Sequence, residues 1–246
     1  PALAARLRPH LREEDDVADG GRVGQDHGEA VDADPAATRR GQAVAERPEP
    51  EPGKGEVKIR MKASSLNFRD FLMVQGLYNP RQPLPIIPCS DGVGEVVEIG
   101  EGVSRVRVGD RVAGCFFQGW PSGEPTAEKA VTTLGSPLDG MLAEYRVLNE
   151  EGVVHVPKHL SDEQAATLPC AALTAWSALV TYGGRKAGDT ILVQGTGGVS
   201  LFGLQIGRMI GARVVVTSSS NEKLDRAARM GSDHGINYKE TPKWGR

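Results

Sequence analysis

The chain has 246 residues, 39% hydrophobic and 25% charged, with a net charge of −3. That length holds one large or two modest domains, and the near-balanced charge argues against nucleic acid or an anionic membrane as a partner bound through bulk electrostatics. Three widely spaced cysteines (Cys89, Cys115 and Cys170) exclude a disulfide framework and fit a reducing compartment.

Taken in order, residues 1–45 contain no Ile, Phe, Trp, Tyr, Met, Lys or Ser. Such a segment buries too little apolar surface to offset its ordering entropy, so it is expected to be disordered. Its Arg-only basic content also resembles a GC-rich frame translated out of register, a non-native extension. The opening PALAARLRPHLREEDD lacks a signal peptide's apolar core, and no apolar run reaches membrane-spanning length, which points to the cytoplasm.

From Glu46 the composition changes. PEPEPGKGE (residues 48–56) is a stiff entry. Val57–Ala63 alternates apolar and charged residues, the pattern of a half-buried strand. Val93–Val112 predicts several short strands between glycine turns, and Ala143–Val147 and Val153–Val156 predict two more. Short strands at this spacing suggest a small, partly closed β-barrel. Ser161 and Gln164 form a capping box opening a helix that Pro169 is expected to interrupt, and Ala171–Tyr182 predicts a second apolar helix.

Thr190–Ser220 carries the chemistry. Ile191–Val193 is too short for a helix and predicts a buried strand, followed at once by Gly195, Gly197 and Gly198. Val199–Ile210 predicts a helix ended by Gly211, and Arg213–Thr217 a second strand. Strand, glycine turn, helix and strand make the mononucleotide-binding βαβ unit. Gly195 permits the tight turn, Gly197 lets the backbone approach a pyrophosphate, and the amides of Thr196, Gly198 and Val199 face it at the helix N-terminus. Ser200 replaces the usual third Gly or Ala, and small size suffices there. The alternative is a purely structural glycine turn. An NAD site places a carboxylate about 20 residues past the first Gly. Here Ser218, Ser219 and nearby Lys223 stand instead, favouring the 2′-phosphate of NADP(H) over NAD(H). Ser219 with Glu222 also reads as a capping box for the helix that Gly231 closes.

A β-rich unit followed by this βαβ unit resembles the medium-chain dehydrogenase/reductase superfamily. The resemblance runs over residues 46–246. It rests on PEPGKGEVKIRMKASSLNFRD, CSDGVGEVVEIGEGVSRVRVGDRV, LPCAALTAWSAL, VQGTGGVSLFGLQIGRMIGARVVVTSSS and MGSDHGINY. Together these are most similar to the zinc-independent quinone-oxidoreductase branch. The implied fold is α/β: a GroES-like, partly closed β-barrel over residues 46–160, then a doubly wound Rossmann domain, incomplete here, over 161–246. The resemblance also implies hydride transfer from a nicotinamide cofactor to a small carbonyl, enone or quinone substrate, and a homodimer whose usual interface is missing here.

Zinc is not expected. The family's ligand positions match Asn67, Ser90-Asp91 and Cys170, and the structural-zinc region retains only Cys115. Cys170 is then a small buried residue. Without a metal, an acid or hydrogen-bond donor near the nicotinamide must meet the developing charge. The segment Asn67–Tyr78 resembles the enoyl- and quinone-reductase loop, which implies Tyr78 as proton donor or substrate contact; a second loop tyrosine of some quinone reductases is replaced by Leu72. Tyr78 otherwise is an ordinary loop aromatic. By the same resemblance Asn67 and Thr174 contact the cofactor's nicotinamide end, and Lys223 and Tyr238 flank the adenosine 2′-phosphate. The plainer readings are a helix cap for Asn67, a bond back to a carbonyl for Thr174 and a strand aromatic for Tyr238. The chain stops at Arg246, after a predicted third strand over Gly235–Tyr238, so the first strand, Ile191–Val193, is expected to be a bare edge and the chain marginally stable.

Overall fold

A computed structural model describes residues 4–6 and 43–245. Most of the segment read as disordered therefore lies outside the described residues. Within it, β1 (Ala4–Arg6) pairs antiparallel with β2, Ala4 opposite Ser65.

The first sheet is organised around β2 (Glu56–Ser65). This strand pairs antiparallel with β3 (Asp91–Ile99) on one side, and with β1 and β5 (Tyr145–Asn149) on the other. The order continues through β4 (Arg111–Gly114) to β6 (Val153–His155), a sheet curled into a partial barrel. Two register shifts in β2 against β3, at Lys58/Ile59 and Met61/Ala63, supply the bend such curling needs. Val57, Ile59, Met61, Val96, Val112 and Met141 fill the barrel.

β2 follows its alternating pattern, with Val57, Ile59, Met61 and Ala63 buried and Arg60 exposed, except at Lys58. Lys58 is only 5% exposed, its ammonium 2.6 Å from Glu49 and 3.4 Å from Glu98. The stretch Val93–Val112 forms one long strand and one short one, joined by turns. β3 and β2 approach closely at Gly94, where an added Cβ would meet the Arg60 carbonyl oxygen at 2.4 Å. Gly94→Ala is therefore expected to lower unfolding stability by about 3 kcal/mol, read from a denaturant titration.

Between these strands lie α1 (Phe68–Val74) and α2 (Ala127–Ala130). The Ser161 capping box opens α3 (Asp162–Ala165), as expected. Ala165 and Ala166 pack against Ala63, Val93 and Val156 of the β-rich unit. α3 ends at Ala165, four residues before Pro169, so that helix is interrupted as expected by Pro169. It sits at the start of a π turn (Leu168–Ala172), which runs on through α4 (Leu173–Trp176) and a second π turn (Ser177–Thr181). In a first turn the missing N–H of proline removes no intrahelical bond.

The second sheet is parallel, in the order β7 (Thr190–Gln194), β8 (Arg213–Ser218), β9 (His234–Asn237). α5 (Gly198–Met209) and α6 (Asn221–Arg229) make the crossovers. Gly203 and Gly207 of α5 lie against Val193 and Val214, so the helix seats closely on the strands. The cap of α6 is Ser220, accepting from the Lys223 N–H at 3.4 Å, and not Ser219. The chain leaves β8 one residue later than the capping box suggested. β7 pairs only with β8 among the described residues, the bare edge expected of it. Among those residues no helix is long and apolar enough to cross a membrane.

Candidate functional site

The glycine turn lies at the carboxyl end of β7. Gly195 has φ +84, the left-handed region that glycine enters without penalty, and its N–H donates to the Thr217 carbonyl at 3.0 Å. Gly197 caps α5, and a Cβ added at Gly195 or Gly197 would meet nothing within 4 Å. Ser200 turns its hydroxyl back to the Gln194 carbonyl at 2.8 Å, so it closes the turn and does not point outward. Open space therefore lies before the first N–H groups of a 12-residue helix, the arrangement that accepts a phosphate.

Beside it, β8 ends in buried Thr217 and Ser218, with Ser219 half-buried. Ser218 is partly occupied, since its Oγ accepts the Ser220 N–H at 3.3 Å and its carbonyl the Tyr238 N–H at 3.0 Å. That second bond brings Tyr238, 42% exposed, beside the strand end. Lys223 is exposed in the first turn of α6. Thr196, Gly198, Val199, Ser218, Ser219, Lys223 and Tyr238 thus share one end of the parallel sheet.

A second constellation joins the two sheets. Asn67 caps α1, its N–H 2.7 Å from Asp70 Oδ2. The Asn67 amide donates to Ser90 Oγ at 3.4 Å, and Ser90 donates to Asp91 Oδ1 at 2.8 Å. The other Asp91 oxygen accepts the Cys170 N–H at 3.0 Å, and the Cys170 carbonyl accepts the Thr174 hydroxyl at 2.7 Å. Thr174 therefore makes the plainer bond read for it, while standing on the exposed side of α4.

Asp91 is fully buried, and burial pushes its carboxyl up to about 6, eased by hydrogen bonds from Asn67, Ser90 and the Cys170 N–H. Burial, reinforced by the Asp91 charge, pushes the Cys170 thiol up to about 12. Burial also raises Asp70, although it accepts backbone N–H groups of Asn67, Cys89 and Ser90. The four positions matched to zinc ligands do meet, but as a neutral amide, a hydroxyl, a protonated thiol and a carboxylate with both oxygens already occupied. Among the described residues no three His, Cys, Asp or Glu side chains group as a metal site.

Tyr78 stands elsewhere, past the far end of α1, so about 10 Å of helix separates its backbone from that of Asn67. It is 48% exposed. Its ring lies 4.8 Å from the Arg69 guanidinium, which is also 4.7 Å from the Phe116 ring. Arg69 donates to the Leu134 and Ser136 carbonyls at 2.9 and 3.1 Å. Sequence reasoning passed over Arg69 and the linking role of Ser90 and Asp91. The one signal for Asp91 was an acid and a hydroxyl placed directly before an apolar strand.

A partly closed barrel leads into a parallel βαβαβ unit, with open space at its glycine turn, the layout of a dinucleotide-binding fold. Residues 53–158 match the profile of the alcohol dehydrogenase GroES-like domain, and residues 198–246 that of zinc-binding dehydrogenases. The chain belongs to the medium-chain dehydrogenase/reductase superfamily. It is 47% identical over 194 residues to a zinc-type alcohol dehydrogenase-like protein of Schizosaccharomyces pombe, covering 77% of this chain and 56% of that one. It is 34% identical to an acryloyl-coenzyme A reductase of Sulfurisphaera tokodaii, with 75% and 57% covered. A crystal structure of an alcohol dehydrogenase from Sinorhizobium meliloti superposes with a TM-score of 0.75 at 50% identity, covering 80% and 58%. Quinone oxidoreductase of Escherichia coli complexed with NADPH superposes at 0.66 with 26% identity, covering 81% and 55%. The chain thus spans little more than half the length of the relatives it matches.

Proposed function

We propose that this chain holds the cofactor turn and substrate lobe of an NADPH-dependent reductase that reduces an activated C=C or C=O bond, in an enone, enoyl thioester or quinone, without zinc. The observation carrying the reading is the open turn at Gly195 and Gly197 before α5, beside a β8 end of hydroxyls and Lys223. The residues fit the dinucleotide: the α5 amides take the pyrophosphate, and Ser219 and Lys223 take the 2′-phosphate. The cofactor's contribution is a hydride. Asn67 and Thr174 would orient the nicotinamide end, and the Tyr78 hydroxyl would give its proton to the substrate anion that hydride addition leaves. Arg69, under the Tyr78 ring, holds that ring in place.

The donor set at Asn67, Ser90, Asp91 and Cys170 does not suit zinc, which takes thiolate, imidazole or free carboxylate. Two relatives lend support, one named for acryloyl-coenzyme A and one complexed with NADPH. The alternative is an alcohol or aldehyde dehydrogenase, after the name of the S. pombe relative. A further alternative is a nucleotide-binding relative in which Tyr78 is idle.

The test is NADPH oxidation with 2-cyclohexen-1-one, with Tyr78→Phe expected to lower kcat about 100-fold. An unchanged rate removes Tyr78 from the mechanism, and turnover of a simple alcohol with NADP, but not of the enone with NADPH, favours the dehydrogenase. Lys223→Ala is expected to raise the Kd for NADPH about tenfold and leave NADH unchanged, by fluorescence titration. Equal losses for both would remove Lys223 from the phosphate site.

A further inference from the structure

We propose that Asp91 is a positioning residue, which links the β-rich unit to the helix after Pro169 and through that link sets the nicotinamide end of the site. The inference rests on the dinucleotide reading above and goes beyond it by assigning a role to a residue that never touches the cofactor.

The helix after Pro169 begins with an orphan donor. A helix leaves its first N–H groups without intrahelical acceptors. In the turn beginning at Leu168, Thr167 makes no side-chain cap bond, and Pro169 has no N–H. The Cys170 N–H is therefore the donor in need of an acceptor. It finds one 79 residues away in sequence, at 3.0 Å, on Asp91 at the start of β3. A carboxylate at a helix N-terminus is favoured by both the hydrogen bond and the helix dipole. Asp91 thus caps a helix of the other unit.

Both carboxylate oxygens are in use, and each leads to a residue placed at the nicotinamide end. Through Oδ1 the path runs to the Ser90 hydroxyl and the Asn67 amide. Through Oδ2 it runs to the Cys170 N–H, and from the carbonyl of the same residue to the Thr174 hydroxyl. Asp91 and Ser90 are both 0% exposed, so no water competes for these bonds. Asn67 rides on the β-rich unit and Thr174 on the helix beneath the glycine turn. Their separation is set where one buried carboxylate holds both.

An asparagine in this place keeps the geometry. Its oxygen accepts the Cys170 N–H, and its amide donates to Ser90 Oγ, which still accepts from Asn67. An alanine releases both branches. Ser90→Ala releases the Asn67 branch alone.

The experiment compares two ligands on the full chain: NADPH, and 2′-phospho-ADP-ribose, which carries the phosphates but no nicotinamide. In Asp91→Ala, NADPH affinity is expected to fall about tenfold. The fluorescence gain of the bound nicotinamide should fall with it, while 2′-phospho-ADP-ribose binds as before. Asp91→Asn is expected to keep NADPH affinity within about twofold, and Ser90→Ala to lose about threefold for NADPH alone. A purely structural role would weaken both ligands together, and that result overturns the proposal. So does NADPH binding that is unaltered in Asp91→Ala, or an Asp91→Asn variant as weak as Asp91→Ala. If Asp91→Ala does not fold, the selective loss in Ser90→Ala decides. Failure of the unaltered chain to bind either ligand is a separate result, which removes the dinucleotide reading and the proposal with it.

Discussion

Gly197→Asp is expected to weaken NADPH binding by at least about 100-fold while leaving the fold as stable as before, or slightly more so. The two effects have opposite signs for one reason: the position caps the helix and, in the proposed function, also seats a phosphate. Gly197 has φ −80 and ψ −179, an extended conformation that aspartate adopts without strain. A Cβ there meets no atom within 4 Å, so nothing in the protein must move. Aspartate is a better N-cap than glycine by a few tenths of a kcal/mol, because its carboxylate accepts an orphan N–H of α5. That carboxylate then occupies the place of the pyrophosphate, and with the same sign of charge. Thermal unfolding of the unliganded variant together with an NADPH titration separates the two effects. A variant that still binds NADPH normally would show that the turn is structural.

Unfolding stability is expected to fall by about 3 kcal/mol between pH 4 and pH 7, with most of the slope removed in Asp91→Asn. The folded-state Asp91 carboxyl sits at about 6 because it is buried. In the unfolded chain it returns to about 3.9. Between those values the folded chain holds a proton that the unfolded chain has released. Stability from this group is therefore fully present below pH 4 and is lost as pH rises through 6. Asp70 adds to the slope in the same direction, since burial raises it too. Asparagine stays neutral throughout, so at pH 7 the variant should be the more stable protein. Denaturant midpoints across the range measure this, and a wild-type curve that rises with pH would refute it.

The elements most legible in the sequence were those whose cause is local. The βαβ unit was read within a residue or two because Gly195, the apolar run of α5 and Gly211 each act on their immediate neighbours. The Ser161 box was legible on the same grounds, and β8, read as Arg213–Thr217, to within one residue. Errors came where a neighbour distant in sequence decided the outcome. Val57–Ala63 alternates as read, with Arg60 exposed between buried Ile59 and Met61, and only Lys58 departs from it, covered by glutamates distant in sequence. Ser219 and Ser220 are equivalent as letters, and the exact exit of the chain from β8 chose between them.

The sequence by itself determined the glycine turn and its hydroxyl-rich neighbour, because each is a matter of residue type at short spacing. Only the tertiary structure decided that Asp91 caps a helix beginning 77 residues later, at Leu168, and that Arg69 lies against both Tyr78 and Phe116. Those contacts depend on how two sheets and a helix come together. A hydrogen bond or a ring stack acts only within a few ångströms, and no spacing along the chain encodes that approach.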